Sequence, residues 1–157
     1  MSYRSLLPAL AFVCLSLNSF SQATGNCEER EISLRESLGT HTAVCLYSTI
    51  SHLNTIHAGY KGDAITVGSA QQKLSVIIAF LGELVKSNKA LIEKGLNDEL
   101  DIEFVKKSNE VYEGMESQAQ ALYDYVVTGS EEKLKTYKKL DEENWKKVNQ
   151  VLGIEDN

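Results

Sequence analysis

Val127-Thr-Gly-Ser-Glu-Glu-Lys-Leu134 (VTGSEEKL) is the stretch that decides how this chain folds. Gly129 suits the left-handed residue that ends a helix. Ser130 is a standard helix cap, and Glu131 and Glu132 then fall in a first helical turn, where the dipole favours acids. Thr-Gly-Ser therefore stops one helix and starts another. So short a link makes the two helices antiparallel neighbours.

Apolar spacing on both sides agrees. Upstream, Phe104, Ser108, Val111, Met115, Ala119, Leu122 and Val126 recur at steps of three and four and share one helical face. Asn97 or Asp98 caps this helix, and Glu99, Asp101 and Glu103 favour its positive end. Downstream, Leu134, Tyr137, Leu140, Trp145, Val148 and Leu152 form the stripe of a last helix that Gly153 ends. Further back, Leu74, Ile77, Ile78, Leu81, Leu84, Val85, Leu91 and Ile92 mark another long helix, stopped at Gly95. Gly82 inside it costs about 1 kcal/mol relative to alanine and either admits a close neighbour or does nothing. Ala58–Val67 (AGYKGDAITV) reads as the one substantial loop.

The N-terminus reads as an export signal. Arg4 supplies a positive start, Leu6–Leu17 (LLPALAFVCLSL) is an apolar run too short to span a bilayer, and Ser21 and Ala23 place cleavage after Ala23. The expected division is a signal peptide over 1–23 and a single helical-bundle domain over 24–157. No later window is long and apolar enough for a membrane helix, so no stable membrane anchor is expected and the location is periplasmic or secreted. The single proline, Pro8, falls in the signal, which suits a helical remainder.

The whole chain carries 16 basic and 22 acidic residues, a net charge of −6. Losing Arg4 moves this to about −7. Such a surface keeps a protein soluble and repels nucleic acid and anionic membranes, so no nucleic-acid partner is expected. It suits a basic protein partner or cations.

Cys27 and Cys45 remain after the signal leaves with Cys14, and an exported chain most simply pairs them. On one unbroken helix they would stand about 27 Å apart, whereas a disulfide needs Cα atoms within about 7 Å. Gly39 and Thr40 offer a stop and a cap between them. The expectation is a short helix over about 28–38, a reversal at Gly39–Thr40 and a longer helix over 41–57, with the Cys27–Cys45 disulfide worth about 3 kcal/mol. The fold class is then all-α: an antiparallel up-down four-helix bundle with a short disulfide-linked N-terminal helix.

Motifs for chemistry are missing. Di-iron bundles use Glu-x-x-His, yet Leu38, Thr49 and Asn54 stand three residues before His41, His52 and His57. His41 and Cys45 share a helical face, but the expected disulfide occupies Cys45, so no metal and no cofactor are assigned. His52 and His57 are five apart and read as helix-surface or helix-end residues, with pH sensing as their one chemical option. There is no Gly-x-Ser-x-Gly elbow, and Gly-Tyr-Lys-Gly (59–62) lacks the spacing of a phosphate loop. Lysines of the last helix are interleaved with acids, unlike a nucleic-acid stripe. No catalytic residue is assigned, and an enzyme is the least favoured class.

Aromatic residues are the remaining lead. Tyr112, Tyr123, Tyr125, Tyr137 and Trp145 cluster on the last two helices. Tyr123 and Tyr125 lie about 200° apart around a helix, so one of them should be exposed or at an interface. That residue and Trp145 are the candidate partner contacts, since exposed Tyr and Trp dominate binding hot spots.

The hairpin Tyr123-Asp-Tyr-Val-Val-Thr-Gly-Ser-Glu-Glu-Lys-Leu-Lys-Thr-Tyr137 resembles that of periplasmic four-helix sensor modules in bacterial chemoreceptors and histidine kinases. There a Y-x-L-T-G-x-x-x-x-L-x-x-Y pattern joins two bundle helices. The resemblance covers these 15 residues. It implies the bundle fold and a ligand or partner surface. It does not imply signalling by this chain alone, which shows no second membrane segment and no output module.

The functional expectation is an exported, non-enzymatic bundle that acts by binding another protein, as an inhibitor or immunity-type protein does. The alternative is a soluble periplasmic small-ligand or metal-binding bundle related to sensor modules. A homodimer fits either.

Overall fold

In a computed structural model of the chain, residues 27–154 are described and form four α-helices: α1 (Cys27–Lys61), α2 (Val67–Lys94), α3 (Glu99–Thr128) and α4 (Glu131–Leu152). No strand occurs among the described residues. The expected signal, with Pro8, Cys14 and the cleavage point after Ala23, lies outside them. By internal packing the chain divides into residues 1–37 and 38–157. The described part of the first unit is the opening stretch of α1. There Arg35 pairs with Glu31 at 3.0 Å, one turn back, and Ile32 and Leu34 are exposed.

The second unit holds the bundle, and its cross-helix contacts fix the directions. Tyr47 meets Trp145 while Asn54 meets Tyr137, so α1 and α4 run oppositely. Lys133 pairs with Asp124 near the turn, and Asn144 bonds Gln118 further along, so α3 and α4 also oppose. Asn88 donates to Asn109 at 2.8 Å, while Gly82 faces Glu116, which gives the same sense for α2 and α3. Cys45 neighbours Tyr112, and Tyr60 reaches Val126, so α1 and α3 run parallel. These directions match the expected up-down-up-down order.

Leu46, Ile50, Leu53 and Ile56 of α1 fill the core with Leu74, Ile77, Leu81 and Val85 of α2. Val111, Met115, Ala119, Leu122 and Val126 come from α3, and Tyr137 and Val148 from α4. Each fully buried large side chain contributes about 1.5–3 kcal/mol. The α3 stripe read from sequence is buried except Phe104, which is half-buried. On α4 the stripe is less faithful. Leu134, Leu140 and Leu152 are only half-buried, while Asn144 and Asn149 are buried.

The helix ends follow local rules with two departures. The Asp98 carboxylate accepts from the amides of Leu100 and Asp101, and Gly129 (φ 68°) takes the left-handed conformation expected of it. Ser130 holds the cap position, but its side chain makes no capping bond; instead its amide donates to the Thr128 hydroxyl at 3.2 Å. The α1–α2 connection is also shorter than expected. Helix α1 continues to Lys61, and Thr66 caps α2 by accepting from the Ser69 amide.

The expected break in the N-terminal helix is not observed. Helix α1 runs unbroken through Gly39 and Thr40, so the reversal needed to bring Cys27 back to Cys45 does not form. Cys45 is a free thiol. The physical reason is that an interior glycine costs only about 1 kcal/mol. Burial of Thr42, Leu46, Thr49, Ile50 and Leu53 just beyond it outweighs that cost. Reduction with dithiothreitol should therefore leave the melting midpoint within about 1 °C of the untreated protein. An internal disulfide worth ~3 kcal/mol would drop it by roughly 10 °C, a result that would restore the stapled helix.

Candidate functional site

One side of α1 carries Tyr47, Ser51, Asn54, Thr55 and Ala58, spaced at three and four and without a charge. With Ile50 and Trp145 they line an open groove of about 500 Å³ between α1 and α4. The Trp145 ring stands edge-to-face on Tyr47, with centroids 5.4 Å apart and planes at 73°. That contact holds the indole in place while leaving it 42% exposed. The Thr55 hydroxyl donates to the Ser51 carbonyl at 2.7 Å. Asn54 accepts from the Tyr137 hydroxyl at 2.8 Å, so the groove wall is tied to a fully buried core ring.

Behind that wall lies a second aromatic group. The His57 imidazole packs edge-to-face on Tyr137 (4.9 Å) and Tyr125 (6.4 Å), and Tyr125 meets Tyr60 (5.7 Å). The Tyr60 hydroxyl points at the Val126 carbonyl, 3.5 Å away. His57 Nε2 is buried without a hydrogen-bond partner. Burial pulls the His57 imidazole below its usual range, helped by Lys138 and Lys61 and opposed by Asp141. Burial, with the Asp141 carboxylate adding to it, pushes the Tyr137 hydroxyl well above the usual tyrosine range.

Where α3 crosses α4 the core is polar. Gln118, fully buried, donates to Asp141 at 2.8 Å and accepts from Asn144 at 2.9 Å. Gly114 makes room for this: a Cβ there would overlap the Asn144 Oδ1 and lie 3.2 Å from its Cγ. At the other end of the core, Tyr112 shares hydrogen bonds with Thr42 and Cys45, and burial raises the Cys45 thiol above its usual range. A more charged groove of about 450 Å³ runs between α3 and α4, where Lys133 pairs with Asp124 at 3.1 Å.

The structure treats the expected contact residues differently. Trp145 is exposed and lines the first groove. Tyr123 and Tyr125 are both half-buried, because a large ring on either flank can lie back along the helix surface. Tyr125 joins His57 and Tyr60, whereas Tyr123 enters none of the ring pairs among the described residues. Sequence reasoning missed Tyr47, Asn54 and His57 as a group. The uncharged 47-51-54-58 spacing on α1 is the signal that could have found the groove.

Among the described residues, no group of three or more His, Cys, Asp or Glu is placed to hold a metal ion, and no helix is long and apolar enough to cross a membrane. Comparison of the chain with protein-family models, with curated proteins and with solved structures returned no match.

Proposed function

We propose that this chain is an exported, non-enzymatic binding protein that holds another protein against the α1–α4 groove, as an inhibitor or immunity-type protein does. The observation that carries this reading is the Tyr47–Trp145 ring pair on the groove's lip. A tryptophan already seated on a neighbouring ring loses little freedom when a partner covers it, and such residues dominate binding energy. Ser51, Asn54 and Thr55 put hydrogen-bonding groups beside it. The net charge of −6 favours a basic partner and speeds its approach.

The test uses the native chain as bait in extracts of the compartment to which it is exported. A stoichiometric protein partner should be recovered. Trp145→Ala should weaken its binding at least tenfold while the melting midpoint moves by no more than about 2 °C, since the ring is partly exposed. Equal recovery by both baits, or no stoichiometric partner at low salt, overturns the reading. The groove's volume lies in the range of small-molecule sites. That observation favours a second reading, a small-ligand-binding bundle, in which a ligand panel raises the melting midpoint and the protein partner is absent.

A further inference from the structure

His57, half-buried, stands where three helices meet, and its environment disfavours a charged ring. Tyr125 of α3 and Tyr137 of α4 close on it edge-to-face, and Nε2 is buried with nothing to bond. A neutral imidazole tolerates this, because a bare acceptor nitrogen carries no charge. An imidazolium must donate from both nitrogens, and the buried one would face no acceptor. The titratable and charged groups around it are Lys61 and Tyr60 on α1, Tyr125 on α3, and Tyr137, Lys138 and Asp141 on α4. Two are cations that repel a charged ring, and one is a carboxylate that attracts it. Burial and the lysines together outweigh Asp141.

We propose that His57 is an acid-sensitive latch: protonation expels its ring from between Tyr125 and Tyr137, and the last turns of α1 come away from the α3–α4 hairpin. Besides the buried Leu53 and Ile56 and the Tyr60–Tyr125 ring contact, two polar contacts span this junction among the described residues. Tyr137 to Asn54 is one, and the long 3.5 Å approach of Tyr60 to Val126 is another. The closed form binds the proton less well than the open one. Its stability is therefore complete above the ordinary histidine value of about 6.5 and falls as pH drops from there toward the lower value of the closed state. The latch stands independently of any partner at the groove.

The experiment is native-state hydrogen exchange on the whole chain at pH 7.5 and 5.0, with each rate corrected for its intrinsic pH dependence. In the wild type, amides of 54–62 and 123–138 should lose at least tenfold of their protection on acidification, while those of 74–85 in α2 keep theirs. His57→Phe and His57→Gln should both abolish the difference between segments. An equal loss in the wild type and both variants, or a loss spread evenly over the chain, overturns the latch. Nuclear magnetic resonance titration of the His57 ring in the wild type decides the matter without any variant: a midpoint at or above 6.5 overturns it, and a lower midpoint that tracks the shifts of Tyr125 and Tyr137 upholds it.

Discussion

Gly114→Ala should destabilise the protein by about 1–2 kcal/mol, although alanine is the better helix former. Intrinsic propensity alone would stabilise by up to about 1 kcal/mol. Against it stands the added methyl, which overlaps the Asn144 amide. That amide cannot simply swing away, because Asn144 is 1% exposed and its Nδ2 is bound to Gln118. Overpacking of this kind costs about 1–3 kcal/mol. The sign should reverse once Asn144 is gone. In an Asn144→Ala background, itself weakened by about 1–3 kcal/mol because Gln118 Oε1 loses its donor, Gly114→Ala should stabilise. Urea unfolding of the four proteins, with unchanged slopes, gives the coupling. Equal effects of Gly114→Ala in the two backgrounds would show that the glycine and the asparagine do not press on each other.

Tyr137→Ala should be more damaging, by about 3–5 kcal/mol, since it empties a fully buried aromatic position at the junction of α1, α3 and α4. Tyr137→Phe keeps the ring and loses the hydroxyl's bond to Asn54 and its interaction with Gln118, so about 0.5–1.5 kcal/mol is expected. The contrast between the two separates packing from hydrogen bonding. If phenylalanine were as costly as alanine, the hydroxyl and not the buried ring would be holding the bundle together.

What was legible in the sequence was whatever is settled within a turn or two of chain. Asp98, Gly129 and Gly153 announce helix ends because their effects act on neighbouring amides and carbonyls. The α3 stripe was legible for the same reason, since a face at steps of three and four needs no knowledge of what covers it. Gly39 misled because glycine is only a weak breaker, and the burial that overrides it lies in side chains packed by other helices. Gln118 and Asn144 were invisible as a pair. A polar residue on a helix reads as solvated until its partner, here 26 positions away, is known. At the groove, Trp145 is legible from residue type, while Tyr47 and Asn54 are not, because neutral polar spacing carries no loud signal.

Asn54 belongs to two neighbourhoods at once, with one side of its amide toward the groove and its oxygen held by a ring that never sees solvent. Surface and interior are consequently not separate targets for change in this protein. A substitution made at Tyr137 to alter stability would also loosen one of the groups offered to a visitor, and selection for a tighter visitor at position 54 would be felt as strain in the heart of the bundle.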